Sequence, residues 1–343
     1  MKIAVLMGGT SAERDVSLAT GREIARALKS NGHQVVSVDT AGGRLLGSAE
    51  TAGSIGRAPP ERGALTEFGA APLVKTLDEV PELRDTDAVF VALHGGTGED
   101  GRLQALLDLI GIPYTGSGYL GSALAMDKLV SKELFVQAGV PTPAWLVGHV
   151  EAAQVERSLG GFPVVVKPSR EGSTVGVSVV RTPGELEAAL EQAAAYEGPP
   201  LIEKFVPGRE LAVGIIGDEA LPVVEIKPSH EIYDYECKYT RGMSQYEVPA
   251  QLSGECTEEV QAAALKAHRI LRLSAYSRID FRLDEAGRPW CLEANSLPGM
   301  TATSLLPKAA AAAGIPFEQL CDLIVNLALQ GRSPAGTRPG HPG

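Results

Sequence analysis

The feature that most constrains this chain is a fully apolar strand leading at once into a glycine turn and an amphipathic helix. Ile3-Ala-Val-Leu-Met7 has no polar position, and Gly8-Gly9-Thr10 follows directly. A strand without a polar side has to be covered on both faces, which favours a parallel sheet over a half-solvated antiparallel one. Leu18, Ile24, Ala25 and Leu28 then recur at helical spacing over 16–28, and a second strand is expected over 34–38. Asp87-Ala-Val-Phe-Val-Ala-Leu93 repeats the apolar pattern, with a helix expected over 103–110 and a short strand beginning at 113–115. Alternation of this kind predicts an α/β unit built on a parallel sheet.

The rhythm changes further along. A helix is expected over 126–139, stopped by Val140-Pro141-Thr142-Pro143. Strands over 162–168, 177–181 and 201–205, with a helix over 185–195, predict a small α+β unit. A third region over 208–329 carries further strands, a polar stretch at 229–247, a helix opened by Thr257-Glu258-Glu259 and a hairpin over 275–296. The expected division is 1–122, 123–207 and 208–329, with a disordered Pro/Gly/Arg tail over 330–343. Residues 41–72 show no sustained period and are expected to be a surface excursion.

Composition narrows the function. A net charge of −11 and a pI near 5.2 argue against broad nucleic-acid or anionic-membrane binding, which calls for clustered Lys and Arg. Cys237, Cys256, Cys291 and Cys321 form no CxxC pair, so zinc ribbons and thioredoxin-type sites are excluded. Reduced thiols in a cytoplasmic protein are expected. No apolar run approaches the ~20 residues of a membrane helix. The chain also lacks a Walker A sequence, a GxGxxG fingerprint at 8–13, a GxSxG elbow and an HExxH pair.

The hairpin carries the densest chemistry. Arg278, Asp280 and Arg282 alternate with Ile279, Phe281 and Leu283, and Glu293 and Asn295 alternate with Leu292 and Ala294. With a two-residue turn at Glu285-Ala286, Arg278 would oppose Glu293 and Asp280 would oppose Cys291. Opposed residues point to the same side, so Arg278, Asp280, Glu293 and Asn295 would converge, and two carboxylates with an amide oxygen are a hard-oxygen set suited to Mg²⁺. A solvated edge hairpin with an Arg–Glu pair is the other reading of the same pattern. Lys167, at the end of a strand, leads into Gly172-Ser173-Thr174-Val-Gly176, which reads as a loop whose N–H groups can cradle phosphate or as an ordinary hairpin loop beside one exposed lysine. Glu13 and His94, the latter in a loop with four glycines, fall at the carboxyl edge of the first sheet, where open α/β sheets bind ligands. Glu13 also reads as charge compensation at a helix start. Tyr233-Asp-Tyr-Glu-Cys-Lys238-Tyr239 reads as a lid or an exposed loop.

These blocks resemble the D-alanine–D-alanine ligases. The resemblance rests on Met7–Ser17, Leu93–Gly101, Met126-Asp-Lys128, Val166–Gly176, Tyr233–Tyr239, Ser277–Phe281 and Leu292–Thr301, in the family's order. It implies the ATP-grasp fold, in which two α+β units hold ATP and an α/β domain precedes them. It further implies ligation of two D-alanines through an acyl phosphate, for peptidoglycan precursors in a cytoplasmic, homodimeric enzyme. Lys128, Lys167 and Lys238 would bind ATP phosphates, with Gly172 and Ser173 folding over them, while Glu203 and Glu210 would contact adenine and ribose. Asp280, Glu293 and Asn295 would hold two Mg²⁺ ions, for which Mn²⁺ can substitute. Arg278 and the Gly299 N–H would stabilise the tetrahedral oxyanion. Glu13 would meet the first D-alanine's ammonium and link to Ser173 and Tyr239, closing the lid. His94 would lie near the first carboxylate, and Ser304 and Leu305 near the second. The lid pair Lys238-Tyr239 implies an amine rather than a hydroxyl acceptor. Ser296 and Thr174 depart mildly from the family's commoner residues and keep a hydroxyl. Two other readings stand beside this one: an ATP-grasp ligase with a different acceptor, and a catalytically dead nucleotide-binding regulator.

Overall fold

The computed structural model describes residues 1–41, 43–46, 56, 80–240 and 242–331. The 41–72 excursion and the tail therefore lie almost wholly outside the described residues.

The first sheet has strand β1 (Lys2–Met7) at its heart, paired in parallel with β2 (Gln34–Asp39) and β4 (Ala88–Val91), with the short β3 (Arg44–Leu45) antiparallel at the edge. Ile3 to Met7 are all buried, as an apolar strand covered on both faces requires. Helix α1 (Arg14–Ser30) packs on β1 and β2. Because these strands run in parallel, the loops after β1 and β4 leave from one edge. Ser17 binds those loops together: its Oγ accepts from the Gly8 N–H at 2.9 Å and donates to the Ala92 carbonyl at 2.7 Å.

Three helices lead out of this layer: α2 (Arg102–Ile110), α3 (Tyr119–Met126) and α4 (Lys128–Gln137). The helix expected over 126–139 is present as α4, two residues shorter at each end, and α3, which was not expected, lies ahead of it across a break at Asp127. Asp127 has an extended ψ of 98° and caps α4, its Oδ1 accepting the N–H groups of Leu129 and Val130 at 3.1 and 3.2 Å. The break leaves Lys128 at the first position of α4.

The second sheet is antiparallel, in the order β5-β8-β6-β7, from β5 (Trp145–Val147), β6 (Val164–Pro168), β7 (Ser178–Val180) and β8 (Pro200–Lys204). With α5 (Ala152–Leu159) and α6 (Leu186–Ala194) it encloses its own core around Val155, Val164, Leu190 and Ile202.

The third sheet runs β12-β11-β9-β13-β14, with β10 (Glu219–Ala220) beside β9. Its long strands are β9 (Arg209–Ile216), β13 (Tyr276–Leu283) and β14 (Pro289–Asn295). Strand β11 (Val224–Pro228) and the edge strand β12 (Ser244–Glu247) bracket a short helix, α7 (Tyr235–Tyr239), where a lid or an exposed loop was expected. Helix α8 (Gly254–Ile270) begins three residues ahead of expectation, because Ser253 caps it by accepting from the Cys256 N–H at 3.2 Å. The final helices, α9 (Leu305–Ala312) and α10 (Phe317–Gln330), return to the start of the chain, where α10 packs on α1 and β4. They are bent by 103° to one another, and among the described residues no single helix is long and apolar enough to cross a membrane.

The hairpin register differs from the expected one. The turn spans residues 284–288, with Leu283 opposite Pro289 and a bulge between Asp280 and Phe281. Asp284 builds this longer turn, its Oδ1 accepting from Ala286 and Arg288 at 3.0 and 2.9 Å, while Gly287 takes φ +78°. Arg278 therefore opposes Asn295, and Asp280 opposes Glu293 rather than Cys291.

Candidate active site

A cleft opens between the second and third sheets. Lys128, Lys167, Glu203 and Lys204 line it from one side, and Glu210, Asp280, Arg282 and Glu293 from the other. Val165, Val177, Phe205 and Leu292 make part of its wall apolar, beside the charged end. The Lys128 ammonium lies 3.3 Å from Glu293 and donates to the Glu171 carbonyl at 2.6 Å. Burial favours a protonated Glu293, but Lys128, Lys238, Lys167 and Arg278 outweigh it and hold the carboxyl at about 2. Lys167 sits 2.5 Å from Glu203, and despite burial its pKa is raised by Glu203 and Glu293. Glu210 pairs with Arg282 at 3.2 Å, yet burial dominates and raises its pKa.

The paired strands bring Arg278, Asp280, Glu293 and Asn295 to one face, as the alternation predicted. Arg278 donates to both Asp280 oxygens at 2.7 and 2.8 Å, and the Asn295 amide donates to Asp280 Oδ2 at 3.0 Å. Burial opposes the charge on Arg278, but Asp280 prevails and its pKa rises. Asp280, Glu293 and Asn295 thus offer hard oxygens on adjoining strands, within a shell of basic side chains.

Behind this face lies a second chamber, lined by Glu13, His94, Gly172, Ser173, Tyr239, Arg278, Asn295, Gly299, Ser304 and Leu305. Tyr233 and Lys238 line both cavities, so the chamber and the cleft meet at the 233–239 segment. Three distant segments close together here. The Ser173 hydroxyl donates to Glu13 in a very short bond and lies 2.9 Å from the Tyr239 hydroxyl, which itself reaches Glu13 at 3.5 Å. Ser173 and Thr174 both take positive φ, 49° and 62°, a conformation that costs side-chain-bearing residues of order 1 kcal/mol each. A Cβ on Gly172 would stand 2.8 Å from Glu13 Oε2, so any side chain there has to displace the carboxylate or the loop.

Electrostatics in this chamber are unusual. Burial and Glu99 raise the Glu13 pKa against the pull of His94, Ser173 and Lys238. His94, 3.0 Å from Thr20 Oγ1 and 3.8 Å from Glu99, has a raised pKa because Glu99 and Glu13 overcome its burial. Burial and then Glu13 push the Tyr239 phenol well up, so it stays a hydroxyl donor. Ser304 holds its loop by contacts at 3.1 Å with the Thr301 N–H and 2.8 Å with the Thr301 hydroxyl, and Gly299 lies against it.

One residue of this site escaped the sequence reading. Lys132 is completely buried and ion-pairs with Glu203 in a very short contact, while donating to Thr142 Oγ1 at 2.6 Å. It also lies 5.0 Å from the Trp145 ring centroid. Burial lowers its pKa, whereas burial of Glu203 is outweighed by Lys132 and Lys167, which lower the carboxyl. Both Glu203 oxygens are therefore taken by lysines. The signal lay in helical spacing: Lys128, Ser131, Lys132 and Phe135 are the buried face of α4.

Two α+β sheets closing on a lysine- and carboxylate-lined cleft, with a small polar chamber at its inner end, define a ligase of the ATP-grasp class. Family models described as D-ala D-ala ligase N-terminus and C-terminus match residues 2–117 and 134–326. The chain belongs to the D-alanine–D-alanine ligase family. A curated D-alanine–D-alanine ligase from Halalkalibacterium halodurans is 44% identical over 337 residues, covering 96% of this chain and all of the relative. One from Geobacter sulfurreducens is 44% identical over 326 residues, covering 94% and 93%. The crystal structure of the Bacillus anthracis D-alanine–D-alanine ligase complexed with ATP is similar at 32% identity and a TM-score of 0.77, covering 97% of this chain and 98% of that one.

Proposed function

We propose that this chain joins two D-alanines to D-alanyl-D-alanine at the expense of ATP, for peptidoglycan precursors. The observation that carries the reading is the junction of Glu13, Ser173 and Tyr239, which seals a chamber holding Arg278 and Gly299 against a lysine-rich cleft. A carboxylate is a poor electrophile, so the first D-alanine is phosphorylated before it is joined. Its ammonium rests against Glu13, and its carboxylate oxygen attacks the γ-phosphorus of ATP as ADP departs. Lys128, Lys167 and Lys238 meet the phosphates, with Gly172 and Ser173 over them and Glu203 and Glu210 on the adenosine side.

Asp280, Glu293 and Asn295 fit Mg²⁺, because they present hard oxygens and Glu293 is ionised at any working pH. When bound there, two such ions, or Mn²⁺ in their place, offset charge on the transferring phosphoryl group. The second D-alanine's free amine then attacks the acyl carbon. We assign the oxyanion to the Arg278 guanidinium and the Gly299 N–H, which both line the chamber; in comparable sites one such donor contributes about 3 kcal/mol. His94 lies on the side of the first carboxylate, and Ser304 and Leu305 receive the second. The closed lid excludes water, which otherwise hydrolyses the acyl phosphate. We further infer a cytoplasmic homodimer, and the divisions at 122, 207 and 329 as domain limits.

The test is phosphate release with ATP and D-alanine, L-alanine or D-lactate supplied separately, with products weighed by mass spectrometry. Release with D-alanine, giving the dipeptide, is expected. Release only with another acid or amine would transfer the account to a different ligase, and no release at all would favour the inactive regulator.

A further inference from the structure

We propose that His230, Asp234 and Cys237 form a site for a zinc-class divalent ion at the base of the lid, and that filling it slows lid opening. An imidazole nitrogen, a carboxylate oxygen and a thiol sulfur converge there, all within 4.8 Å of one another. His230 Nδ1 lies 2.7 Å from Asp234 Oδ2, and Asp234 Oδ1 accepts the Cys237 N–H at 2.9 Å. Capping helix α7 accounts for the carboxylate alone; it calls for neither an imidazole four residues earlier nor a thiol three residues later. Cys237, 1% exposed, forms the floor, and the exposed His230 forms the rim through which an ion enters.

The donors also define the ion. Sulfur with imidazole and carboxylate suits Zn²⁺ or Co²⁺ in tetrahedral geometry, with water in the fourth position, and disfavours Mg²⁺. The site is thus chemically distinct from the all-oxygen face of Asp280, Glu293 and Asn295. On binding, the Cys237 thiol gives its proton to solvent and its thiolate becomes the ligand. The consequence follows from chain order. Lys238 and Tyr239 come directly after Cys237 and line the substrate chamber, so an ion tying 230 to 237 stiffens the segment that opens and closes it. This effect on turnover rests on the ligase reading, whereas the binding does not.

Co²⁺ titrated into the full chain under saturating Mg²⁺ is the probe. The expected result is a sulfur-to-cobalt charge-transfer band with intense tetrahedral d–d bands, saturating at one ion per chain and displaced by Zn²⁺. Cys237→Ser should abolish the charge-transfer band, and the exposed His230→Gln, which has no core to disturb, should weaken binding. With Zn²⁺ bound, phosphate release should fall about tenfold, equivalent to about 1.4 kcal/mol on the closed lid. A chelator should restore it, and His230→Gln should not respond. No thiolate band, or a band surviving in Cys237→Ser, would overturn the site. Bands with unaltered phosphate release would overturn the lid effect, and a chain without basal turnover would instead count against the ligase reading while leaving the spectrum to decide the site.

Discussion

At the scale of single residues, the site is a set of charges whose ionisation is fixed by burial and by neighbours. Lys132 is the clearest case, since it touches no exposed surface yet holds one oxygen of Glu203 while Lys167 holds the other. Lys132→Met should destabilise the fold by about 3 kcal/mol, the lower range for breaking a buried pair, because Lys167 still neutralises the carboxylate. It should raise the KM for ATP more than it lowers kcat, and Lys132→Arg should recover part of the binding. Denaturant unfolding and ATP titration check both, and unchanged values would remove Lys132 from the site. Glu13 gives a pH prediction. Its raised pKa means that it protonates, and releases a substrate ammonium, above the ordinary Glu value of about 4.3 as pH falls. Glu293, held at about 2, stays ionised through that range and cannot cause the loss. The acid limb of kcat/KM for D-alanine should therefore lie above pH ~4.3 and vanish from the residual activity of Glu13→Gln. An unshifted limb in that variant would assign it elsewhere. Lys132 was hard to read from sequence for a plain reason: four residues after Lys128 it looks like a solvated helix lysine, and its burial becomes tolerable through Glu203, from the second sheet, and Thr142.

At the scale of elements, apolar runs and alternation were legible, and side-chain-built stops were not. The apolar strand at 3–7 and the charged face of β13 both stand where periodicity put them. The turn at 284–288 did not follow from periodicity, because Asp284 folds it through its own side chain. The consequence reaches the site, since a different turn sets Asp280 opposite Glu293. Asp127 likewise divides two helices that carry no proline or glycine at the break. The link between Glu13 and Ser173, in the loop of Gly172 to Gly176, was implied by the resemblance, but not how near the Gly172 backbone comes to the same carboxylate. Gly172→Ala should push that loop off Glu13, because the new Cβ meets a carboxylate oxygen at 2.8 Å. We expect turnover to fall at least about tenfold with thermal stability nearly kept, since the clash can be relieved by shifting a half-buried surface loop rather than a core element. Undiminished turnover would show that the loop needs no such approach.

Across the whole molecule, the chain closes on itself twice. Helix α10 returns to pack on α1 and β4, so the first and last segments share one core. The second closure is the one the proposed function rests on: Glu13, Ser173 and Tyr239 come from all three regions, and their contact makes a chamber out of separate loops. Sequence motifs singled out all three residues, whereas the distances between them belong to the tertiary fold. Tyr239→Phe removes one hydroxyl from this junction and leaves the ring packed on Tyr235 at 4.7 Å. Turnover should fall by roughly tenfold, about 1.4 kcal/mol, with the melting temperature unchanged. Unaltered kinetics would remove the hydroxyl from lid closure.

The central claim is that the first D-alanine passes through an acyl phosphate within that chamber. Supplying ATP with D-alanine labelled by ¹⁸O in its carboxylate tests it most directly. The account predicts one labelled oxygen in each phosphate released, in step with dipeptide formed. Unlabelled phosphate accompanying dipeptide would contradict it.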